Sequence, residues 1–401
     1  MPKNAAFFLL FLLGALSAFG PLVTDMYLPT MPAMVRDYQT TQSLVQAGLS
    51  SSFIGLALGQ IFIGPLSDKY GRRPLLLVSM FTFLVSTLGV IFSPDIYWFI
   101  GFRLLQGLAG AGGVVISRSV ATDSFSGKEL ATAMAIIGAI NGIVPVAAPI
   151  VGGWCSNAIG WRGIFWILLI CGALLTWGCL HFRETLAPTD RKLDGIRKLF
   201  LGFGRILRHA HFTFYVALMG FTYGALFVNI SSSSFIVEDY YGFSAFGFSL
   251  VFALNAVSIG IASGLSAKFR RPEHSVFWGC ALLLIFSSAE CLALWMGADF
   301  WLYESLLFVI MFSIGLIFPP TTALAMDLER QNSGTASALI GAVGFTAGGL
   351  VTPLVGLGNM LTTTGLMFLV CALGTFLFMI FAVPRSQSIS QCLHCFDAQK
   401  N

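Results

Sequence analysis

Gly64-Pro65-Leu66-Ser67-Asp68-Lys69-Tyr70-Gly71-Arg72-Arg73-Pro74 separates two long apolar stretches, residues 42–66 and 75–93. It carries one acid and three bases in a chain where only 10% of residues are charged. A short link between two membrane helices has to reverse the chain, and Gly64, Gly71 and Pro74 suit that task. The pattern predicts a loop here, with an apolar helix on either side.

The same alternation runs outward in both directions. Of the 401 residues 56% are hydrophobic, and the mean hydropathy is +0.84. A soluble domain could not hide so much apolar surface, whereas apolar runs of about 20 residues suit a bilayer. Twelve spans are expected, at 4–25, 42–66, 75–93, 96–120, 130–153, 162–182, 211–236, 246–267, 275–296, 300–325, 335–357 and 363–384. The fold class is therefore an all-α membrane protein. The first stretch follows Lys3 as a signal peptide would, but Asp25 and Pro29 come where a small-residue cleavage site belongs, so it reads as a retained span.

Basic residues set the expected topology. With the N-terminus inside, the outer loops hold only Arg36 and Arg162 of the 22 Lys and Arg, and Arg103 and Arg118 fall within the fourth span. All the others are cytoplasmic, as are both termini. The net charge of +4 is thus a topology signal spread over many short loops, which does not suit a nucleic-acid surface. Most of the eight cysteines lie in or beside apolar spans as packing residues. Cys392-Leu393-His394-Cys395 has the spacing of half a zinc site with no second half, so no metal is expected.

The polar stretch 183–210 divides the chain into six-helix bundles at 1–182 and 211–384, with a cytoplasmic tail at 385–401. It reads as a cytoplasmic linker with an amphipathic helix near 194–208. The halves echo each other. Leu66-Ser67-Asp68-Lys69-Tyr70-Gly71-Arg72-Arg73-Pro74 aligns, with one gap, to Leu265-Ser266-Ala267-Lys268-Phe269-Arg270-Arg271-Pro272. Ile137-Gly138-Ala139-Ile140 and Pro149-Ile150-Val151-Gly152 recur as Ile340-Gly341-Ala342-Val343 and Pro353-Leu354-Val355-Gly356. Parallel repeats of this kind build transporters whose halves rock about a central site. Ala267 stands where the first copy has Asp68, so function concentrates in the first half.

A few polar residues interrupt the spans. A carboxylate at the centre of a membrane helix costs about 3 kcal/mol when charged, so Asp25 must be protonated, paired or facing water. It is either a proton-titrating group in a transport cavity or a helix-end acid exposed outside, since Pro29 and Pro32 follow. Arg103, well inside the fourth span, cannot easily reach headgroups and needs an internal partner, for coupling or for packing. Arg118 either snorkels or serves a related role. Asn229 and Asn255 offer hydrogen bonds to a ligand or tie helices together. Glu290 in the ninth span reads as structural or partly snorkelled. Pro145, Pro149, Gly152 and Gly153 allow one helix to bend and to pack closely on a neighbour.

These stretches resemble a known family. The 64–74 segment is similar to the G-x-L-[AS]-D-x-x-G-R-R/K signature of the major facilitator superfamily, and Arg103-Leu104-Leu105-Gln106-Gly107 to its R-x-x-Q-G pattern. Gly142 to Gly153 resembles its antiporter signature, with Ala148 replacing the glycine of the Gly-Pro pair. Thr24-Asp25-Met26-Tyr27-Leu28-Pro29 resembles the bicyclomycin/chloramphenicol-resistance (Bcr/CflA) drug-export subfamily, as does Ile230-Ser231 onward through Phe235, Tyr241, Phe252 and Asn255. Ser234 stands where that pattern has proline, which puts the local helix geometry in question. The resemblance implies the major facilitator fold, two six-helix pseudo-repeats, and a proton-driven antiporter exporting amphipathic drugs by alternating access.

Under that reading Asp25 and Arg103 couple protons, and Asp68 with Arg72, Gly64 and Gly71 forms a latch. Asp25, Tyr27, Asn229, Phe235 and Asn255 contact substrate, and Pro145, Pro149, Gly152 and Gly153 form the antiporter helix. The protein would be a monomer in a bacterial cytoplasmic membrane, with lipid, protons and small molecules as its partners and no cofactor beyond the proton. Export of one endogenous metabolite, such as a sugar or an amino acid, is the alternative. An enzyme is not expected: no H-E-x-x-H or G-x-S-x-G occurs, and no Lys lies in a span to carry a retinal Schiff base.

Overall fold

A computed structural model describes residues 3–191 and 202–383. The Cys392–Cys395 segment, most of the linker helix expected at 194–208 and the tail at 385–401 lie outside the described residues. The described elements are helical throughout. In chain order they are α1 (Lys3–Asp25), a 3-10 turn (Leu28–Thr30), α2 (Met31–Asp37), α3 (Gln42–Tyr70), α4 (Arg72–Ile91), α5 (Ile96–Ser124) and α6 (Gly127–His181). After a 3-10 turn at Pro188–Asp190 come α7 (Ala210–Ser234), α8 (Ala245–Ser266), α9 (Pro272–Trp295), α10 (Phe300–Leu328), α11 (Ser333–Val355) and α12 (Met360–Ala382).

Among the described residues eleven stretches are long and apolar enough to cross a membrane, α1 and α2 counting together as Phe8–Asp37. One of them, α6, has 55 residues and is broken at Gly160, where φ is 64° and ψ is −177°. That non-helical residue divides α6 into two pieces, each long enough to span a bilayer at 1.5 Å per residue. The twelve expected spans are all present. Their exposed faces carry Phe81, Val85, Leu174, Ile285 and Leu350, as apolar as any core. A helix that is apolar all round suits lipid on one side and protein on the other.

Helix starts are fixed by side chains that accept otherwise unused backbone N–H groups. Thr41 accepts from Leu44 at 3.3 Å, and Asp95 from Tyr97 at 2.9 Å and Trp98 at 3.1 Å. Asn359 does the same for Leu361 and Thr362.

The link expected over 64–74 is shorter than its composition suggested. Helix α3 continues through Gly64 and Pro65 to Tyr70, and Gly71 alone separates it from α4. Pro65 is tolerated inside a long helix that is held on several sides by neighbours. Gly71 has φ +103°, a conformation open to glycine and closed to other residues, so it makes the whole reversal.

The chain forms two compact units. The first holds the helices through α6 together with Ile230–Ala253 and Gly348–Leu357. The second holds the start of α7, Leu254–Ala347 and α12.

Candidate functional site

Asp25 ends α1 at a break in the first span. Pro29 lacks an N–H and Pro32 follows, so the helix cannot run straight through and resumes as a 3-10 turn and then α2. Thr24 braces the break: its hydroxyl lies 3.0 Å from Pro21 O and donates to Asp25 Oδ1 at 2.9 Å. Asp25 is only 7% exposed and Tyr27 is fully buried. The acid is therefore at a helix end and yet interior, because α2 carries the chain onward beyond it.

Arg103 on α5 has no exposed surface. Its Nη1 donates to Gln106 Oε1 at 2.5 Å, and it lies 3.4 Å from Val23 O in the last turn of α1, where helix carbonyls run out of partners. Gln106 in turn donates to Thr87 Oγ1 at 2.7 Å, tying α5 to α4. The guanidinium stands over the rings of Tyr27 at 4.6 Å and Phe165 at 5.7 Å. Its Nε and Nη2 atoms have no hydrogen-bond acceptor. Asp25 and Arg103 are close enough to act on each other electrostatically, but no ion pair within 4 Å joins them among the described residues. The cation is held by an amide, a carbonyl and two aromatic faces, with donors in reserve. Gln106 lies in a motif quoted from the sequence, yet its role as Arg103's partner was not anticipated.

Asp68 and Arg72 meet at the opposite end of α3. Arg72, 7% exposed, donates to Asp68 Oδ1 at 2.5 Å, Ser67 Oγ at 2.6 Å and Asp123 Oδ2 at 3.0 Å. The N-terminus of α4 follows Gly71 and so has no capping side chain of its own. Glu184, just beyond α6, supplies one: its carboxylate accepts from the backbone N–H of Arg72 at 3.0 Å and of Arg73 at 3.2 Å. Sequence reading missed Asp123 and Glu184. The signal available was the lack of any capping residue at 71, which called for an acid from elsewhere. Gly64 lies one turn earlier inside α3, and Arg118 is exposed.

Pro145, Pro149, Gly152 and Gly153 all lie within α6. Both glycines are points of close approach. A side chain at Gly152 would collide with Met26 O, and one at Gly153 would come within 2.6 Å of Ala245 O and also strike Ser249. Asn141, earlier in α6, donates to Ser17 Oγ of α1 at 2.7 Å. Within the same unit, α3 grips the ends of later helices by their carbonyls: Gln46 Nε2 donates to Ser231 O at 2.9 Å, Ser43 to Pro353 O at 3.2 Å, and Ser50 to Gly349 O. Arg36 faces Asp239 at 3.8 Å. Phe235, 1% exposed, opens a π-helical turn, Phe235–Tyr240, directly after Ser234. The position where proline is usual is thus where α7 changes its winding.

In the second unit Asn229 Nδ2 lies 3.5 Å from Met311 Sδ, a weak contact, and its Oδ1 has no partner. Asn255 Nδ2 donates to Glu304 Oε1 at 3.0 Å and ties α8 to α10. Glu290 has no exposed surface at all, so it does not snorkel. Glu304 was not singled out from sequence, because it lies near a span end where acids are ordinary. Where α7 begins, His209 Nδ1 lies 3.0 Å from Glu329 Oε1 and Asn332 donates to Glu329 Oε2 at 2.9 Å. The Asn332 bond first, and then His209, hold the Glu329 carboxyl below its usual range.

The sequence profile of the Major Facilitator Superfamily matches residues 7–353. An MFS-type transporter, YdgK, of Bacillus subtilis (strain 168) is 34% identical over 92% of this chain and 94% of its own length. A bicyclomycin resistance protein homolog of Haemophilus influenzae is 29% identical, over 91% and 93%. A chloramphenicol resistance protein of Pseudomonas aeruginosa is 26% identical, over 86% and 82%. In fold, the chain is similar to a bacterial homolog of the human lysosomal transporter Spinster, with TM-score 0.72 at 16% identity and 95% of each chain covered. The chain belongs to the Major Facilitator Superfamily of membrane transporters.

Proposed function

We propose that this protein exports amphipathic, drug-like molecules across a bacterial cytoplasmic membrane in exchange for protons, by alternating access. The observation that carries the reading is Asp25. It is a carboxyl 7% exposed at a break in a membrane helix, beside a buried arginine with which it forms no ion pair. A locked ion pair would hold Asp25 charged throughout. An arginine held instead by Gln106, Val23 O and two aromatic rings leaves the acid free to take up and lose a proton. Release of the proton leaves a buried anion that Arg103, with donors in reserve, can turn toward. Proton and cationic or polar substrate groups then compete for one carboxyl.

The rest of the assignment follows the same logic. Tyr27 and Phe235 give substrate aromatic surface, and Asn229 and Asn255 are the polar contacts assigned to the second half. Sparse polar groups among many apolar ones favour breadth over a fixed template. Asp68 and Arg72, with Gly64 and Gly71, act as the latch of a cytoplasmic gate, and α6 acts as the antiporter helix through Pro145, Pro149, Gly152 and Gly153. Both termini are cytoplasmic, the protein works as a monomer, and the proton is its only coupling ion. The relatives named for bicyclomycin and chloramphenicol resistance support the substrate class.

Purified protein in proteoliposomes with an imposed pH gradient and a small drug panel tests the reading. The wild type is expected to concentrate drug against its gradient. Asp25→Asn keeps the side chain's shape and loses its titration, so it should bind drug yet fail to concentrate it. An Asn variant that pumps at the wild-type rate would overturn the assignment of Asp25.

A further inference from the structure

The second unit holds a buried group that this mechanism does not use. Glu290 on α9 is 0% exposed, and neither of its carboxyl oxygens has a hydrogen-bond partner. Glu304 on α10 is 7% exposed, with one oxygen bonded to Asn255 and the other unpartnered. Asn255 on α8 is 2% exposed; its Nδ2 makes that bond while its Oδ1 has no partner. Among the described residues, Glu304 is the one charge that acts on Glu290.

Among the described residues no ion pair neutralises either acid. Helices α7 to α12 contain no Lys or Arg. The other titratable groups on the helices packed against the pair are Cys280, Cys291, Tyr303 and Cys371, with Glu273, His274 and Asp327 at the far ends of α9 and α10. Two ionised carboxylates, unpaired and out of water, would be untenable. Protons solve the arrangement on both counts. Each proton removes one charge and turns one acceptor oxygen into a donor, and Asn255 Oδ1 is an acceptor that still lacks one. Buried hydroxyls without partners, Ser287 one turn away on α9 and Thr364 on α12, extend the polar layer.

We propose that Glu290, Glu304 and Asn255 form a second proton-binding site, on helices that do not carry Asp25, loaded from the outer face of the membrane. Glu290 lies about 8 Å along α9 from its end at Trp295, and Glu304 about 6 Å along α10 from its start at Phe300. Trp295 and Trp301, 74% and 75% exposed, flank that connection as residues of a membrane interface do. In the proposed topology this is the outer side, from which protons enter during export. Only the last point rests on the export reading; the occupancy of the site does not.

Infrared difference spectroscopy of the purified full-length protein in nanodiscs tests it, in an Asp25→Asn background that removes the first site. A protonated-carboxyl C=O band is expected at neutral pH and is lost on raising the pH. Glu290→Gln and Glu304→Gln should each remove part of that band, and Asn255→Ala should shift it. A band absent at neutral pH, or unchanged by both Gln variants, overturns the proposal. So does a band erased by sodium ions at fixed pH, which would make this a metal-cation site. The wild-type and Asp25→Asn spectra stand even where a Gln variant fails to fold. Drug-evoked proton release by purified protein is the second measurement, and Glu304→Gln is expected to reduce it. Absence of release from the wild type while the band persists would sink the exchange reading and leave the site intact.

Discussion

Arg103 in the first unit and Glu290 in the second are both fully buried in membrane helices, and they are handled in opposite ways. Arg103 has an amide at 2.5 Å, a carbonyl at 3.4 Å and two aromatic faces. Among the described residues Glu290 has no hydrogen-bond partner, and the one charge that acts on it is another acid. The first unit keeps its charge and surrounds it with dipoles and π faces. The second, whose helices α9, α10 and α12 carry no Lys or Arg, has no fixed positive charge on them to balance its acids. A permanent charge can steer a titrating neighbour, whereas a pair of acids is itself the titrating element. Under the proposed mechanism, the difference separates a group that sets a pKa from groups that respond to pH.

The largest effect should come from removing the permanent charge. Arg103→Met leaves Gln106 and Val23 O without their donor and Asp25 without a counter-charge, and on the order of 3 kcal/mol of stability should be lost. Transport against a gradient should vanish. Arg103→Lys is the sharper test. An ammonium is a point charge that cannot stack over Tyr27 while bonding Gln106, so lysine should rescue little. Thermal unfolding and proteoliposome uptake on both variants check this. Full rescue by lysine would break the comparison, since charge alone would then suffice and the cage would be incidental.

A smaller effect is expected where packing differs. A Cβ at Gly153 would fall 2.6 Å from Ala245 O, whereas a Cβ at Gly260 on α8 meets nothing within 4 Å. Gly153→Leu should therefore cost about 1–3 kcal/mol through overpacking. Gly260→Ala should be neutral or slightly stabilising, as helix propensity favours alanine by up to about 1 kcal/mol. Melting temperatures of the two variants measured side by side give the contrast. Equal shifts would mean that α6 relaxes freely and that its glycines are not points of close contact.

Sequence alone carried the spans, because apolar runs of bilayer length leave few other readings. Asp25 and Arg103 were legible for the same reason, as charges are conspicuous in apolar helices. What hid was partnership. Gln106 and Thr87 are ordinary polar residues in the sequence, and only the meeting of α4 with α5 makes them Arg103's support. Glu184 and Asp123 lie far from Arg72 along the chain and are brought to it by α4, α5 and the end of α6. Gly64 and Pro65 suggested a loop by residue type, yet neighbouring helices keep α3 helical to Tyr70. Glu304 passed as a span-end acid until its burial beside Asn255 set it apart.

At the other end of α3 the expected effect is kinetic. Asp68→Asn replaces a charge-assisted bond to Arg72 with a neutral one, while Asp123 at 3.0 Å and Ser67 at 2.6 Å still hold the arginine. The loss of stability should be about 1 kcal/mol. Drug affinity of the purified protein should stay near normal while turnover falls severalfold, because the node lies far along α3 from the helix break at Asp25. The second half has no copy to compensate, since Ala267 stands at the equivalent position. A large loss of affinity with unchanged turnover would contradict the latch and move Asp68 into the binding machinery.

The smallest effect should be at Asn229, and its pattern matters more than its size. Its Nδ2 has only Met311 Sδ at 3.5 Å, and its Oδ1 is unpartnered, so Asn229→Ala breaks little within the protein. Whatever changes must then come from a ligand that used the amide. One hydrogen bond is worth about 0.5–1.5 kcal/mol net, up to roughly tenfold in affinity. A drug that bonds the amide should lose up to that factor, and one held by apolar surface alone should lose nothing. Resistance profiles over a drug panel, together with affinities for two or three members, read this directly. A shift equal for every compound would place Asn229 in packing or gating. It would also narrow the contrast between the units, leaving the acids of the second unit as its functional polar groups.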